Sequence, residues 1–235
     1  MLTSFPQGGT AVVIGATGGI GAAVLAALNT EACFSQVLGF SRGSVPPLDV
    51  LDEDSIAHCA RAIAATGLPL RLLVDATGML SSPLGPPEKS LQQLNPTAMA
   101  QAFAINAIGP ALLMKHFLPL LPRDGKSVFA TLSAKVGSIG DNHLGGWYSY
   151  RASKAALNQL VHTAAIEVRR RQPHAICVSL HPGTVDTALS QPFAKAGLNV
   201  VTAEDAAKRL LSVIDNLTAD SSGGFFNHDG NTLPW

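Results

Sequence analysis

Charge is scarce in this chain. Of its 235 residues only 14% are Asp, Glu, Lys or Arg, and 16 acidic side chains balance 16 basic ones to a net charge of zero. The longest basic run is Arg169-Arg170-Arg171, at an expected helix end where cations suit the dipole. A nucleic-acid surface needs a basic patch, and none is present. Cys33, Cys59 and Cys177 are scattered, odd in number and without metal-ligand spacing. They exclude a disulfide framework and read as buried or incidental thiols in a reducing compartment. His58, His116, His162 and His174 also lack partners at metal spacing, so no metal site is expected. The start MLTSFPQGG lacks the basic-then-apolar pattern of a signal peptide, and no apolar run approaches the length of a membrane span. The expectation is a cytoplasmic protein with no membrane partner. What the chain has in abundance is apolar residues, 47% of the total. At this length that buries a substantial core and excludes disorder.

Strand-like runs at 10–14, 36–41, 48–50, 70–76, 127–132, 175–180 and 224–227 alternate with helical patterns around 19–29, 53–65, 97–121, 148–171 and 203–217. Alternation of this kind predicts an α/β fold: one doubly wound, Rossmann-type domain over 1–235, with a mostly parallel seven-stranded sheet and helices on both faces. Ligands of such sheets bind outside the carboxyl ends of the strands. One crevice is therefore expected to gather the loop after residue 14, Ser41-Arg42, Asp49-Val50, Asp75-Ala76-Thr77-Gly78, Ser133 and residues 181–187.

Two motifs stand out at that crevice. The first is TAVVIGATGGIGAAVLAAL, a β-branched strand, a glycine turn and an Ala/Leu-rich helix. Gly15 permits the tight turn, Gly19 lets backbone approach a pyrophosphate, and Gly21 lets the helix pack closely on the strand. The helix N-terminus then offers free N–H groups and a favourable dipole to the anion. The second is Tyr150 with Lys154, four residues apart in WYSYRASKAALN. Positions so spaced share a helix face. An ammonium there favours phenolate and lowers a tyrosine pKa from about 10 toward working pH. A tyrosine so tuned exchanges a proton with a carbonyl or alcohol oxygen.

With GATGGIG at 15–21, ATG at 76–78 where NNAG is usual, Asn106, Tyr150 with Lys154, and PGTVDT at 182–187, the chain resembles the short-chain dehydrogenase/reductase family over nearly its full length. The strings GSIGDNHLGGWYSYRASKAALN and FFNHDGNTLPW resemble its C-factor-like and sniffer-like carbonyl reductase branch. The resemblance implies hydride transfer with a nicotinamide cofactor. It makes Tyr150 the acid/base. Lys154 then holds the nicotinamide ribose and depresses the Tyr150 pKa, and Asn106 helps hold a water linking Lys154 to solvent. The alternative for Asn106 is a helix kink satisfied by its own amide, next to Gly109-Pro110. The implied cofactor contacts are Gly15, Thr17, Gly19, Ile20, Gly21, Ser41, Arg42, Asp49, Val50, Ala76, Thr77, Gly78, Asn106, Tyr150, Lys154, Pro182, Gly183, Val185 and Thr187. Thr187 meets the carboxamide, and the Pro182-Gly183 turn presses on the ring. Asp49 and Val50 flank the adenine, unless Asp49 caps the following helix in competition with Asp52 and Asp54.

One position departs from the family. Counting back from Gly137, the slot of the usual catalytic serine holds Ala134, and Ser133 fills the preceding slot. Ser133 acts through a shifted strand end, or Ser138 reaches in, or no hydroxyl is supplied; Ser133 is favoured. For the cofactor, NAD-binding sheets place an acidic residue at the end of the second strand. Here Ser41 and Arg42 stand there, and a guanidinium welcomes a 2′-phosphate, so NADP(H) is favoured over NAD(H). The leading expectation is NADPH-dependent reduction of a ketone or aldehyde. The alternative is a dinucleotide-binding regulatory or signalling protein with weak or no turnover, suggested by Ala134. His143 and Trp147 fall in the loop before Tyr150 and are candidates to wall a substrate pocket, and 188–202 is expected to set substrate choice. A homodimer or homotetramer is expected, because helices at 97–121 and 148–171 carry Leu112, Leu113, Phe117, Leu157 and Leu160 around much of their circumference and related proteins pair them.

Overall fold

β1 (Thr10–Ile14) is a fully buried run, and its side chains alternate between two hydrophobic layers. Ala11 and Val13 face a cluster with Val24 and Leu28 of α1 (Gly19–Leu28) and Leu210 and Ile214 of α6 (Ala203–Asn216). Val12 and Ile14 face the other cluster. It is built from Ile56 and Ile63 of α2 (Glu53–Ala65), Leu113 and Phe117 of α4 (Gly109–Phe117), and Leu157 and Val161 of α5 (Tyr148–Arg169). A strand apolar on both faces needs helices on both sides, which is why the sheet is wound doubly. The structure is a computed structural model and describes residues 2–190 and 200–235.

The main sheet runs β2 (Gln36–Phe40), β1, β3 (Leu70–Asp75), β4 (Ser127–Leu132), β5 (Ala175–His181) and β8 (Phe225–Asn227), all parallel. It has six strands where seven were expected. The expected strand at 48–50 does not form. Pro46 and Pro47 have no N–H to give a ladder, and the Leu48 N–H turns back to the Ser41 carbonyl (2.8 Å). A separate pair joins β6 (Thr184–Val185) to β7 (Val200–Val201). Strand order reverses at β1, between β2 and β3. Ile14 is level with Phe40 and Asp75, and Asp75 with Thr131. The segments after these strands therefore leave one edge together, and that edge is the crevice.

The expected helix at 97–121 is composite: α3 (Pro96–Phe103), a π-helical turn (Ala104–Ile108), α4 and a final 3₁₀ turn (Leu118–Leu120). This run, Pro96–Leu120, is long and apolar enough by length and composition to cross a bilayer, contrary to the expectation that no run approached that size. Leu113, Phe117 and, from α5, Leu157 are fully buried in the chain's own core. Of the apolar residues expected to face a partner, Leu160 is 36% exposed, and Ile108 and Ile166 stand exposed beside it on the same helices.

Candidate active site

Gly15 adopts φ +79°, and its N–H and that of Ala16 both bond the Phe40 carbonyl (2.9 and 3.1 Å). A Cβ on Gly21 would lie 2.2 Å from the Gly15 oxygen, so α1 begins closer to the strand than any side chain permits. A Cβ on Gly19 would lie 2.7 Å from Cγ2 of Thr187, so the turn and the segment after β5 face each other. Thr17, Gly18 and Gly19 are exposed at the tip, with Ile20 half-buried. The α1 N-cap, Gly18, supplies no side-chain acceptor, which leaves first-turn N–H groups for an anion.

Beyond β2, the Ser41 N–H donates to Ser44 Oγ (3.0 Å) and its Oγ accepts from Gly43 N–H (3.2 Å). Arg42 is exposed and has no hydrogen bond or ion pair among the described residues. Asp49 does not cap α2; its Oδ1 accepts from Leu51 N–H (2.9 Å), and Asp52 accepts from Asp54 and Ser55 N–H instead. Val50 is pressed against Gly109, where a Cβ would stand 2.8 Å from Val50 Cβ.

At the end of β3, buried Asp75 accepts from Thr77 N–H (3.0 Å), Thr77 Oγ1 (2.6 Å) and Thr131 Oγ1 (2.7 Å). Burial raises its pKa, and these donors and the Lys154 charge oppose the rise. Ala76 N–H bonds Ile14 O (2.9 Å). A Cβ on Gly78 would sit 3.5 Å from Lys154 Nζ and 3.6 Å from Asn106 Oδ1, so these three residues meet. Asn106 lies in the π-helical turn, fully buried. Its amide does not satisfy its own helix. Oδ1 accepts from Met79 N–H (2.7 Å), and Nδ2 donates to Met79 O (2.8 Å) and Ser153 Oγ (3.1 Å), clamping the loop after β3 onto α5.

Lys154 Nζ donates to Leu132 O (2.8 Å), and burial lowers its pKa to about 8 against the pull of Asp75. The Tyr150 phenol is pushed up to about 12 by burial, although its side chain keeps partial exposure at the crevice mouth. This corrects the expectation that Lys154 acidifies it. The ammonium is bonded to a main-chain carbonyl, and desolvation governs the phenol.

Ser133, the favoured substitute for the missing serine, donates its hydroxyl proton to Asn158 Oδ1 (2.7 Å), inside the protein. A proton so committed is not free for a substrate oxygen, which corrects that preference. Ser138, also buried, accepts from Asp141 N–H (3.1 Å) and donates to no group among the described residues.

After β5, Pro182 is half-buried and Gly183 has φ +83°. A Cβ on Gly183 would lie 2.7 Å from His228 Cδ2. His181 stands behind this turn, its pKa lowered to about 4 by burial, with His228 and Lys135 adding to the shift. Val185 is buried, and the Thr187 hydroxyl shares a hydrogen bond with Ser190 Oγ (3.1 Å). Of the stretch expected to set substrate choice, 191–199 lies outside the described residues. A cavity of about 620 Å³ between α6 and the segment after β8, lined by Arg209, Phe226 and His228, lies on the far side of His228 from the Gly183 turn and does not include Tyr150.

Sequence reasoning missed Asn158 and Glu88. Asn158 lies four residues beyond Lys154, on the face already identified, and that spacing was the available signal. Glu88 comes from a loop with no pattern to reveal it. Its buried carboxylate accepts from Ser149 Oγ and Ser149 N–H (3.2 Å), so it ties that loop to the start of α5. Burial raises its pKa, but the bonds from Ser149 outweigh it and the net shift is downward.

Comparison with known proteins agrees with this geometry. A family model described as enoyl-(acyl carrier protein) reductase matches residues 16–216. The C-signal protein of Myxococcus xanthus is 38% identical over 138 residues, 58% of this chain and 78% of that one. A 1-hydroxy-2-glutathionyl-2-methyl-3-butene dehydrogenase of Rhodococcus sp. (strain AD45) is 32% identical over 190 residues, 81% of this chain and 79% of that one. Among solved structures, an NADPH-bound carbonyl reductase from chicken fatty liver superposes with a TM-score of 0.84 at 26% identity, covering 98% of this chain and 95% of that one. Carbonyl reductase Sniffer of D. melanogaster shares the fold, with a TM-score of 0.83 at 21% identity over 97% of this chain and all of that one.

Proposed function

The chain belongs to the short-chain dehydrogenase/reductase family of oxidoreductases, and from that premise we propose that it reduces a ketone or aldehyde with NADPH, using Tyr150 as the acid. One observation carries the reading: Tyr150, Lys154, Asn106 and Gly78 meet at the strand edge onto which the glycine turn also opens. The cradle fits a dinucleotide, because Gly15, Gly19 and Gly21 stand where a Cβ would intrude and the start of α1 is uncapped. When bound, the reduced nicotinamide supplies the hydride.

The chain's own residues do the rest. Tyr150 keeps its proton through neutral pH and hands it to the developing alkoxide. Lys154, anchored to Leu132 O, offers its remaining protons to a ribose hydroxyl. Asn106 holds Gly78 and Met79 at the correct depth. Ser138 is the better-placed hydroxyl to stabilise the substrate oxygen, because its proton is unclaimed. The exposed Arg42 guanidinium favours the 2′-phosphate of NADP(H). The exposed apolar residues Ile108, Leu160 and Ile166 support assembly through these helices into a homodimer or homotetramer.

A second reading, a dinucleotide-binding regulatory protein with little turnover, draws on Ala134 and on the capture of the Ser133 hydroxyl by Asn158. The deciding experiment titrates NADPH and NADH separately, then follows NADPH oxidation with a panel of aldehydes and ketones. Tight NADPH binding with turnover establishes the reductase. Binding without turnover in both wild type and Tyr150→Phe favours the regulator. Equal affinity for the two dinucleotides removes the assignment of Arg42.

A further inference from the structure

Three consecutive residues lead into α5 in left-handed geometry: Gly145 (φ 63°), Gly146 (φ 66°) and Trp147 (φ 52°, ψ 43°). Trp147 is the one non-glycine residue with positive φ among the described residues. The conformation is unfavourable for a bulky side chain and persists only where the surroundings over-determine it. Here they do. The Arg151 guanidinium takes three main-chain carbonyls at once: Nε bonds Gly146 O (3.0 Å), Nη2 bonds Gly145 O (3.2 Å) and Nη1 bonds Val136 O (3.1 Å). The Trp147 N–H donates to the Glu88 carbonyl.

Starting a helix does not require this arrangement. Trp147 makes no side-chain cap bond, and Gly, Asn or Asp would take the position with less strain. What the arrangement achieves is placement. The indole meets the Tyr150 ring edge-on, with centroids 6.2 Å apart and planes at 72°. The recess that also borders Tyr150, between Met79, Leu80, Pro87 and Ala102, holds about 20 Å³, room for one water-sized group. A carbonyl carbon brought to the phenol carries two substituents. The recess admits only a hydrogen or a methyl, so the larger substituent is left to the indole.

We propose that Trp147 is the specificity-determining residue, selecting carbonyl compounds with one flat aromatic substituent, and that Arg151 is the positioning residue that holds it in place. The proposal deepens the reductase reading and rests on it. Aromatic pairs gain beyond area burial by a factor of about 2–12 in affinity, the equivalent of about 0.5–1.5 kcal/mol. The test compares kcat/KM for benzaldehyde and propanal in wild type, Trp147→Gly and Trp147→Asn, replacements that tolerate the left-handed geometry. The expected result is a fall of about 2–12-fold in the benzaldehyde preference, carried by KM. Arg151→Lys, which keeps the charge and loses the fork, should move the ratio the same way, and adding glycine at 147 to it should produce no further fall.

Saturation-transfer NMR from protein to the ring protons of acetophenone supplies a readout that needs no turnover. The transfer should weaken in Trp147→Gly and in Trp147→Asn. An unchanged substrate ratio in a folded variant, or undiminished transfer, overturns the proposal. If wild type reduces no carbonyl at all, the reductase reading falls, and the NMR comparison alone decides whether Trp147 meets an aromatic ligand.

Discussion

At the β1 side of the crevice the geometry rests on backbone, and at the β4 side on side-chain hydrogen bonds. Gly15, Gly19 and Gly21 are fixed by sterics, since any Cβ there strikes Thr187 or main-chain atoms. Ser133, Lys154 and Asn106 are fixed by partners drawn from elsewhere in the chain, Asn158, Leu132 and Met79. The first kind of site tolerates almost no substitution and offers no choice of conformation. The second can be rewired by one residue, as the Ser133–Asn158 bond demonstrates.

The contrast can be broken most forcefully at Tyr150. Tyr150→Phe should lower kcat by roughly 10²–10⁴-fold, the usual worth of a positioned acid, while NADPH affinity measured by fluorescence titration holds. A comparable loss of affinity would mean that the two sides are not separable. On the backbone side, Gly21→Ala places a methyl 2.2 Å from the Gly15 oxygen. It should destabilise the fold by at least about 1–3 kcal/mol in denaturant unfolding and weaken dinucleotide binding, because the turn must open to admit it.

Acid sharpens the comparison, since His181 lies behind the Gly183 turn. Its pKa falls from 6.5 to about 4 on folding, so between those values the unfolded chain binds a proton that the folded chain refuses. Stability is therefore lost as pH falls from about 6.5 toward 4, by at most about 3 kcal/mol. A pH series of urea melts should display this slope in wild type and a shallower one in His181→Gln. The smallest expected effect is Ser133→Ala. With its hydroxyl turned to Asn158, the loss should be about 1 kcal/mol of stability and less than tenfold in kcat. A hundredfold drop in kcat would return Ser133 to the reacting oxygen and shift the proposed role away from Ser138.

Much of this was legible before folding. The strand at 10–14 and the helix at 53–65 fall on their expected bounds, and the helix at 148–171 ends two residues early. What failed were features with no local signature. The run at 48–50 has strand composition, yet two prolines and a turn-back hydrogen bond keep it from the sheet edge. Spacing put Tyr150 and Lys154 on one face, but it could not show that Lys154 would bond Leu132 O and that burial would raise the phenol.

The sequence by itself determined the glycine turn, the alternation that winds the sheet and the shared face of Tyr150 and Lys154, because φ limits, burial periodicity and helical pitch act over a few residues. Only the tertiary structure decided where the Ser133 proton goes, which carbonyl receives Lys154 and how a left-handed Trp147 comes to rest against Tyr150. Hydrogen-bond direction and desolvation depend on atoms dozens of positions away, and those atoms become neighbours only once the layers have packed.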